Sequence, residues 1–324
     1  MSNLAENLQS DIVYGRGVIY DDITQTIGNT PLVKLSRFAD ALDVQANILA
    51  KIEFFNPAGS IKDRPALAMI EAMIADGRIK AGTEIIEATS GNNGVACAWI
   101  CALKKIPLTI VIPEHMSIER RKLIKHYGAK LVLTPKELGT KGAIDKAKAM
   151  IAQSDNAVML DQFGNQANSA MHAKTTAQEI WTDTRGEVDV LVAGVGTGGT
   201  LSGIAQTLKT LNPRLKVVAV EPASCPVLSQ GKSGVHKIQG LSSGHIPGIL
   251  RQDLIDEIIT VSNEDAVSFA QDIACLESLP VGISSGAALN AAMKVGQRAE
   301  MKGKNIVTIL ADNAERYFST ELFE

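Results

Sequence analysis

The sequence carries no excess of charge of either sign: Lys and Arg number 32, Asp and Glu 35, and the net charge is −3. That balance gives no electrostatic case for nucleic acid or an anionic membrane as a partner. Long apolar runs are also missing. The longest obvious one, Val95–Leu103, meets Lys104 and Lys105 after nine residues, far short of a membrane span. The opening MSNLAENLQSDIVYGRG has no apolar signal core, so the expectation is a soluble, cytoplasmic chain. Cysteine is scarce, with four residues. Cys97 and Cys101 share one face of an apolar helix, Cys225 and Cys275 stand alone, and no C-x-x-C pair occurs, which reads as free core thiols. The five histidines are scattered without H-E-x-x-H or paired spacing, so no metal centre is expected.

What is present is an ordinary globular composition, 45% hydrophobic and 21% charged, in a chain longer than one core usually fills. From residue 84 short apolar runs alternate with amphipathic ones. EIIEA (84–88), LTIVIP (108–113), KLVLTP (130–135), VMLDQF (158–163), VDVLVAGV (188–195), KVVAVE (216–221), EIITVS (257–262) and NIVTILA (305–311) read as strands, with helical stretches between them. Apolar strands separated by helices predict an α/β fold of two open, mainly parallel twisted sheets flanked by helices. We place the lobes at residues 1–157 and 158–324, with the first 50 residues free to cross to the other lobe. The first 20 residues are expected to form an arm against a partner subunit.

Ligands of such sheets bind at the carboxyl ends of strands, and four turns there are rich in Gly, Ser, Thr and Asn. In NPAGSIKDRPA (56–66), Ser60 reads as an N-cap, Asp63 as its capping-box partner and Pro65 as first-turn proline. Lys62 then lies in the opening turn, where the helix dipole favours its neutral, nucleophilic amine; an ordinary surface lysine is the competing reading. EATSGNNGVA (87–96) offers Thr89, Ser90, Asn92 and Asn93 between a strand and a helix, suited to a carboxylate or phosphate, or simply to capping. AGVGTGGTLSG (193–203) contains G-x-G-x-x-G at Gly194, Gly196 and Gly199, and Glu221 ends the next strand. This is the context of a dinucleotide site and raises a nicotinamide-dependent dehydrogenase as a rival. Thr197 and Thr200 place hydroxyls beside the glycines, which favours a phosphate monoester instead. In VGISSGAALNAA (281–292), Ser284 and Ser285 open a helix and are candidates for a ligand edge or for N-caps. SQGKSG (229–234) lacks the upstream glycine of a Walker A loop. A lysine able to form a Schiff base together with a phosphate cup meets the two requirements of pyridoxal phosphate.

The chain resembles the cysteine synthase (O-acetylserine sulfhydrylase) and cystathionine β-synthase family of fold-type II, tryptophan-synthase-β-like pyridoxal-phosphate enzymes. TIGNTPLVKL, NPAGSIKDR, ATSGNNG, PEHMSIERRKL, DQFGNQAN, GVGTGGTLSG, HKIQG, GISSGAA and ERYFST carry the resemblance from Ile19 to Phe323. It implies pyridoxal 5'-phosphate as cofactor and synthesis of L-cysteine from O-acetyl-L-serine and sulfide through an α-aminoacrylate. Cystathionine formation, or serine or O-phosphoserine as donor, is the alternative on the same fold. The resemblance assigns Lys62 to the cofactor aldehyde and the Cα proton, and Asn92 to the cofactor's ring hydroxyl. It gives Gly196, Thr197, Gly198, Gly199 and Thr200 the phosphate, and Ser284 the pyridine nitrogen. Thr89, Ser90, Asn93 and Gln162 match positions that grip the substrate carboxylate. A homodimer and the C-terminal tail of serine acetyltransferase are the implied partners. Two departures stand out: Asn93 replaces the usual Thr, and ADNAERY (311–317) replaces the usual Pro-Ser-Ser-Gly before E-R-Y. No haem-binding extension or regulatory domain is read in the sequence.

Overall fold

The computed structural model describes residues 16–89 and 91–324; the proposed arm therefore lies largely outside them, as does Ser90. Among the described residues ten strands are distributed over two sheets: β1 (Leu32–Lys34), β2 (Asn47–Ile52), β3 (Glu84–Ala88), β4 (Leu108–Pro113), β5 (Lys130–Thr134), β6 (Ala157–Val158), β7 (Val190–Gly194), β8 (Lys216–Pro222), β9 (Glu257–Val261) and β10 (Asn305–Leu310). One sheet runs β5-β4-β3-β6 and the other β1-β2-β10-β7-β8-β9. Every pairing is parallel except that of β1 with β2. Parallel strands must be covered on both faces, and β4 is buried along its whole length, while β7 and β8 are buried except at one terminal residue each, Gly194 and Lys216. Ile85, Ile110 and Ile112 are fully buried in one core, Ile48, Val192 and Ile306 in another. Each such side chain contributes roughly 1.5–3 kcal/mol.

The Ile283–Gly296 helix shows how composition follows position. Nearly all of its residues are buried, and small side chains let it sit between the larger sheet and the Asn263–Glu277 helix. Among the described residues no helix is long and apolar enough to cross a membrane.

Two readings need correction. Of the run VMLDQF only Val158 lies in a strand, β6. Beyond it, the buried Glu87 carboxylate accepts the backbone N–H groups of Leu160 at 3.1 Å and Asp161 at 3.3 Å, and Asp161 takes a left-handed φ of 54°; a side chain has replaced the ladder. Strands β1 and β2, both ahead of the alternating pattern, were not foreseen. β2 pairs in parallel with β10, which itself pairs with β7. The last strand in sequence is therefore central in space, and the residues leaving it lie beside those that follow β2 and β7.

Candidate active site

Lys62 is held by the chain on either side of it. Ser60 bridges Asp312 in antiparallel fashion, Ile61 donates to the Ala311 carbonyl at 2.9 Å, and Arg64 is clamped by Glu53 at 2.8 Å and Glu179 at 2.7 Å. The helix begins at Asp63, with Lys62 as its N-cap. The expected capping box is absent: Ser60 Oγ accepts from the Lys62 amide at 3.2 Å, and Asp63 reaches back to the Ala58 amide at 2.6 Å. Burial pushes the Lys62 amine down to about 8, while the Asp312 carboxylate pulls the other way. Desolvation is thus the largest cause of its lowered value. The surface that Lys62 retains faces two adjoining cavities, of 190 and 70 Å³.

The turn after β7 forms a wall common to both cavities. Gly196 and Thr197 line both, and Gly198, Thr200 and Ser284 line the smaller one. Gly198 precedes the Gly199–Leu211 helix with φ 81°, a left-handed conformation that strongly favours glycine. A Cβ there would also collide with Leu250. Gly199 is packed against the Asn168 side chain. Thr197 Oγ1 receives Asn168 Nδ2 at 3.2 Å, and Thr200 Oγ1 lies 3.3 Å from His172 Nε2. His172 stays well below its ordinary pKa because it is buried and because Arg64 and Lys62 are positive. A helix N-terminus with free amides and two flanking hydroxyls can hold a phosphate.

Thr89, Asn92, Asn93 and Gln162 converge on the larger cavity. Thr89 Oγ1 accepts the Gly91 amide at 3.3 Å. Asn93 is only 2% exposed, yet both of its polar side-chain atoms are buried without a partner among the described residues. Such an amide is costly unless a ligand completes it. Ser285 turns away from the cavities: its hydroxyl accepts the Ala311 amide at 2.9 Å, so of the two serines opening this helix only Ser284 faces the site.

Sequence reasoning did not find Arg120 or Gln239, which both line the larger cavity. Arg120 donates to Gln239 Oε1, and to Asn92 Oδ1 at 3.2 Å; its guanidinium sits 4.7 Å from the Tyr317 ring centroid. Within SIERRKLIKH it looks like one more cation of a surface helix, and no local spacing distinguishes it. Of the two sequence departures, Asn93 is in the cavity wall, and Asp312, two residues past β10, contacts the cavity residues Asn92 and Arg120.

The dinucleotide reading fails at Glu221. The residue is 1% exposed, lines neither cavity, and its carboxylate is turned to the amides of Leu228 at 2.7 Å and Ser229 at 3.0 Å, so it is out of reach of a ribose in the site. A family profile described as pyridoxal-phosphate dependent enzyme matches residues 23–312. The chain belongs to that family. Pyridoxal phosphate is its cofactor, and the lysine, glycine turn and Ser284 gathered around one pair of cavities fit that group. The chain is 46% identical over 305 residues to cysteine synthase B of Campylobacter jejuni, covering 94% of this chain and 99% of that one. It is 47% identical over 304 residues to a cysteine synthase of Staphylococcus aureus, covering 94% and 97%. Among solved structures, cysteine synthase from Entamoeba histolytica superposes with a TM-score of 0.93 at 41% identity, over 97% of this chain and 94% of that one. O-ureido-L-serine synthase gives a TM-score of 0.90 at 39% identity, over 94% and 96%. The fold is that of the fold-type II enzymes of this family.

Proposed function

We propose that this enzyme makes L-cysteine by β-replacement, exchanging the acetoxy group of O-acetyl-L-serine for sulfide and releasing acetate. The observation that carries the reading is Lys62, its amine lowered to about 8 by burial, lining one cavity together with Gly196 and Thr197 of the glycine turn and with Thr89, Asn92 and Asn93. The names of its relatives supply the substrate class.

Bound pyridoxal phosphate supplies an electron sink for the pair left at Cα when its proton departs. Lys62 would hold the cofactor through its aldehyde and, once displaced by the amino substrate, take the Cα proton as general base. Gly196, Thr197, Gly198, Gly199 and Thr200 would hold the phosphate with backbone amides and hydroxyls. Asn92 would donate to the ring oxygen, and Ser284 would face the ring nitrogen without a negative charge to enforce its protonation. Thr89, Ser90, Asn93 and Gln162 would grip the substrate carboxylate, and the orphaned amide of Asn93 fits that task.

Two lobes meeting at residues 157–158, one on each sheet, belong to this proposal, with β1 and β2 crossing to the larger sheet. So does a homodimer, to which the exposed apolar side chains of Val18, Ile19 and Ile23 are suited. The C-terminal tail of serine acetyltransferase is a candidate ligand of the same cavity. Four free thiols, that of Cys275 exposed, fit a reducing cytoplasm.

The test is a visible spectrum of the purified protein before and after O-acetylserine, followed by sulfide and assay for cysteine. The expected result is a yellow protein whose band changes with O-acetylserine and returns with sulfide, and a colourless, inactive but folded Lys62→Ala variant. A yellow protein that ignores O-acetylserine and turns over serine or O-phosphoserine would overturn the donor assignment.

A further inference from the structure

Asn92 lines both cavities, Asp312 lines neither, and the contact between them restricts what Asn92 can do. Asp312 is 1% exposed. Its Oδ2 accepts Asn92 Nδ2 at 2.6 Å and the Tyr317 hydroxyl at 2.8 Å, with Arg120 Nη2 at 3.5 Å. On the other side of the same amide, Asn92 Oδ1 accepts Arg120 Nε at 3.2 Å and Arg316 Nη1 at 2.8 Å. A side-chain amide can ordinarily flip, and its orientation follows from its neighbours. Here the neighbours leave no choice. A carboxylate only accepts and guanidinium groups only donate, so the oxygen must face the arginines and the nitrogen must face Asp312. Oδ1 is occupied twice and one N–H is spent on Asp312. A single N–H remains, on a residue that borders both cavities.

We propose that Asp312 is a positioning residue, fixing Asn92 as a one-proton donor toward the ring oxygen of the cofactor. This rests on the contact between Asn92 and the cofactor proposed above. Asp312 touches Asn92, Tyr317 and Arg120; its positioning role runs through the first of these and is distinct from its charge effect on Lys62. Its second oxygen, Oδ1, has no partner among the described residues and is packed against Gly282. The three donors therefore all use one oxygen, and an asparagine in its place can still present that oxygen to them.

A double-mutant cycle on cofactor affinity, measured by equilibrium dialysis of pyridoxal phosphate against cofactor-free protein, separates positioning from general support. Asn92→Ala is expected to weaken binding by roughly tenfold. Asp312→Ala should weaken it by a similar factor when Asn92 is present, and by less than about twofold in the Asn92→Ala background. Both single variants should shift the visible band of the loaded protein in the same direction, and Asp312→Asn should restore the parental band. Asp312→Ser serves the same cycle if Asp312→Ala does not fold. If Asn92→Ala binds as tightly as the parent, the contact between Asn92 and the cofactor is wrong. If Asn92→Ala is weakened but the loss from Asp312→Ala is the same with and without Asn92, that contact stands and the positioning role of Asp312 is wrong.

Discussion

The Glu87 carboxylate accepts the Leu160 amide at 3.1 Å from a strand that lies 73 positions earlier in the chain. Burial, reinforced by the charge of Asp161 and opposed by the backbone amides, pushes its carboxyl up to about 7. A folded-state value raised above that of the unfolded chain gives stability that is fully present below the unfolded value. That stability is lost as pH rises toward about 7.

Glu87→Gln should therefore flatten part of the pH dependence. Between pH 5 and 7 the stability of the variant relative to the parent is expected to rise by up to roughly 1.4 kcal/mol per pH unit, the effect of one proton. Urea unfolding at several pH values measures this. Parallel stability curves for the two proteins would count against a protonated Glu87 in the fold.

Lys62 has the opposite sign. Its folded value falls to about 8 from 10.5, so its amine is neutral and nucleophilic above that pH. The rate at which cofactor-free protein takes up pyridoxal phosphate should rise with pH to a midpoint near 8. Asp312→Asn should move the midpoint lower, because the carboxylate opposes the effect of burial. Stopped-flow absorbance across pH 6–10 reads both midpoints, and an unmoved midpoint in the variant would remove Asp312 from the charge balance at Lys62.

Asn93→Thr replaces an orphaned amide with a shorter group that carries one hydroxyl. Unpaired buried polar groups cost roughly 1–3 kcal/mol, so the KM for the amino substrate should change by about fivefold or more while cofactor affinity stays within about twofold. Steady-state kinetics with several donors, set beside dialysis of the cofactor, gives the comparison. Unchanged kinetics with every donor would exclude a substrate contact at Asn93.

Gly198→Ala places a Cβ at φ 81° and against Leu250. A cost of roughly 1–2 kcal/mol is expected from the backbone alone. Cofactor affinity should fall by more than about tenfold, because the amides of this turn lose their alignment. Thermal melts and dialysis test the two effects, and a variant with parental cofactor affinity would show that the turn does not hold the phosphate.

The sequence by itself determined the alternation of strand and helix from residue 84 onward, since side-chain periodicity is a local property of the chain. It also determined the two chemical motifs, Lys62 in its turn and the glycine-rich run from Gly194 to Gly199, because each is contiguous. Only the tertiary structure decided that β10 would pair with β2 and β7. That pairing sets Asp312 beside Ser60 and Asn92. VMLDQF was apolar enough for a longer strand, yet the distant Glu87 captured its amides. Arg120 looked like a surface cation until Asp312, Gln239 and Tyr317 surrounded it. Local pattern reports which face a residue presents, whereas burying a charge or fixing an amide requires partners from remote parts of the chain.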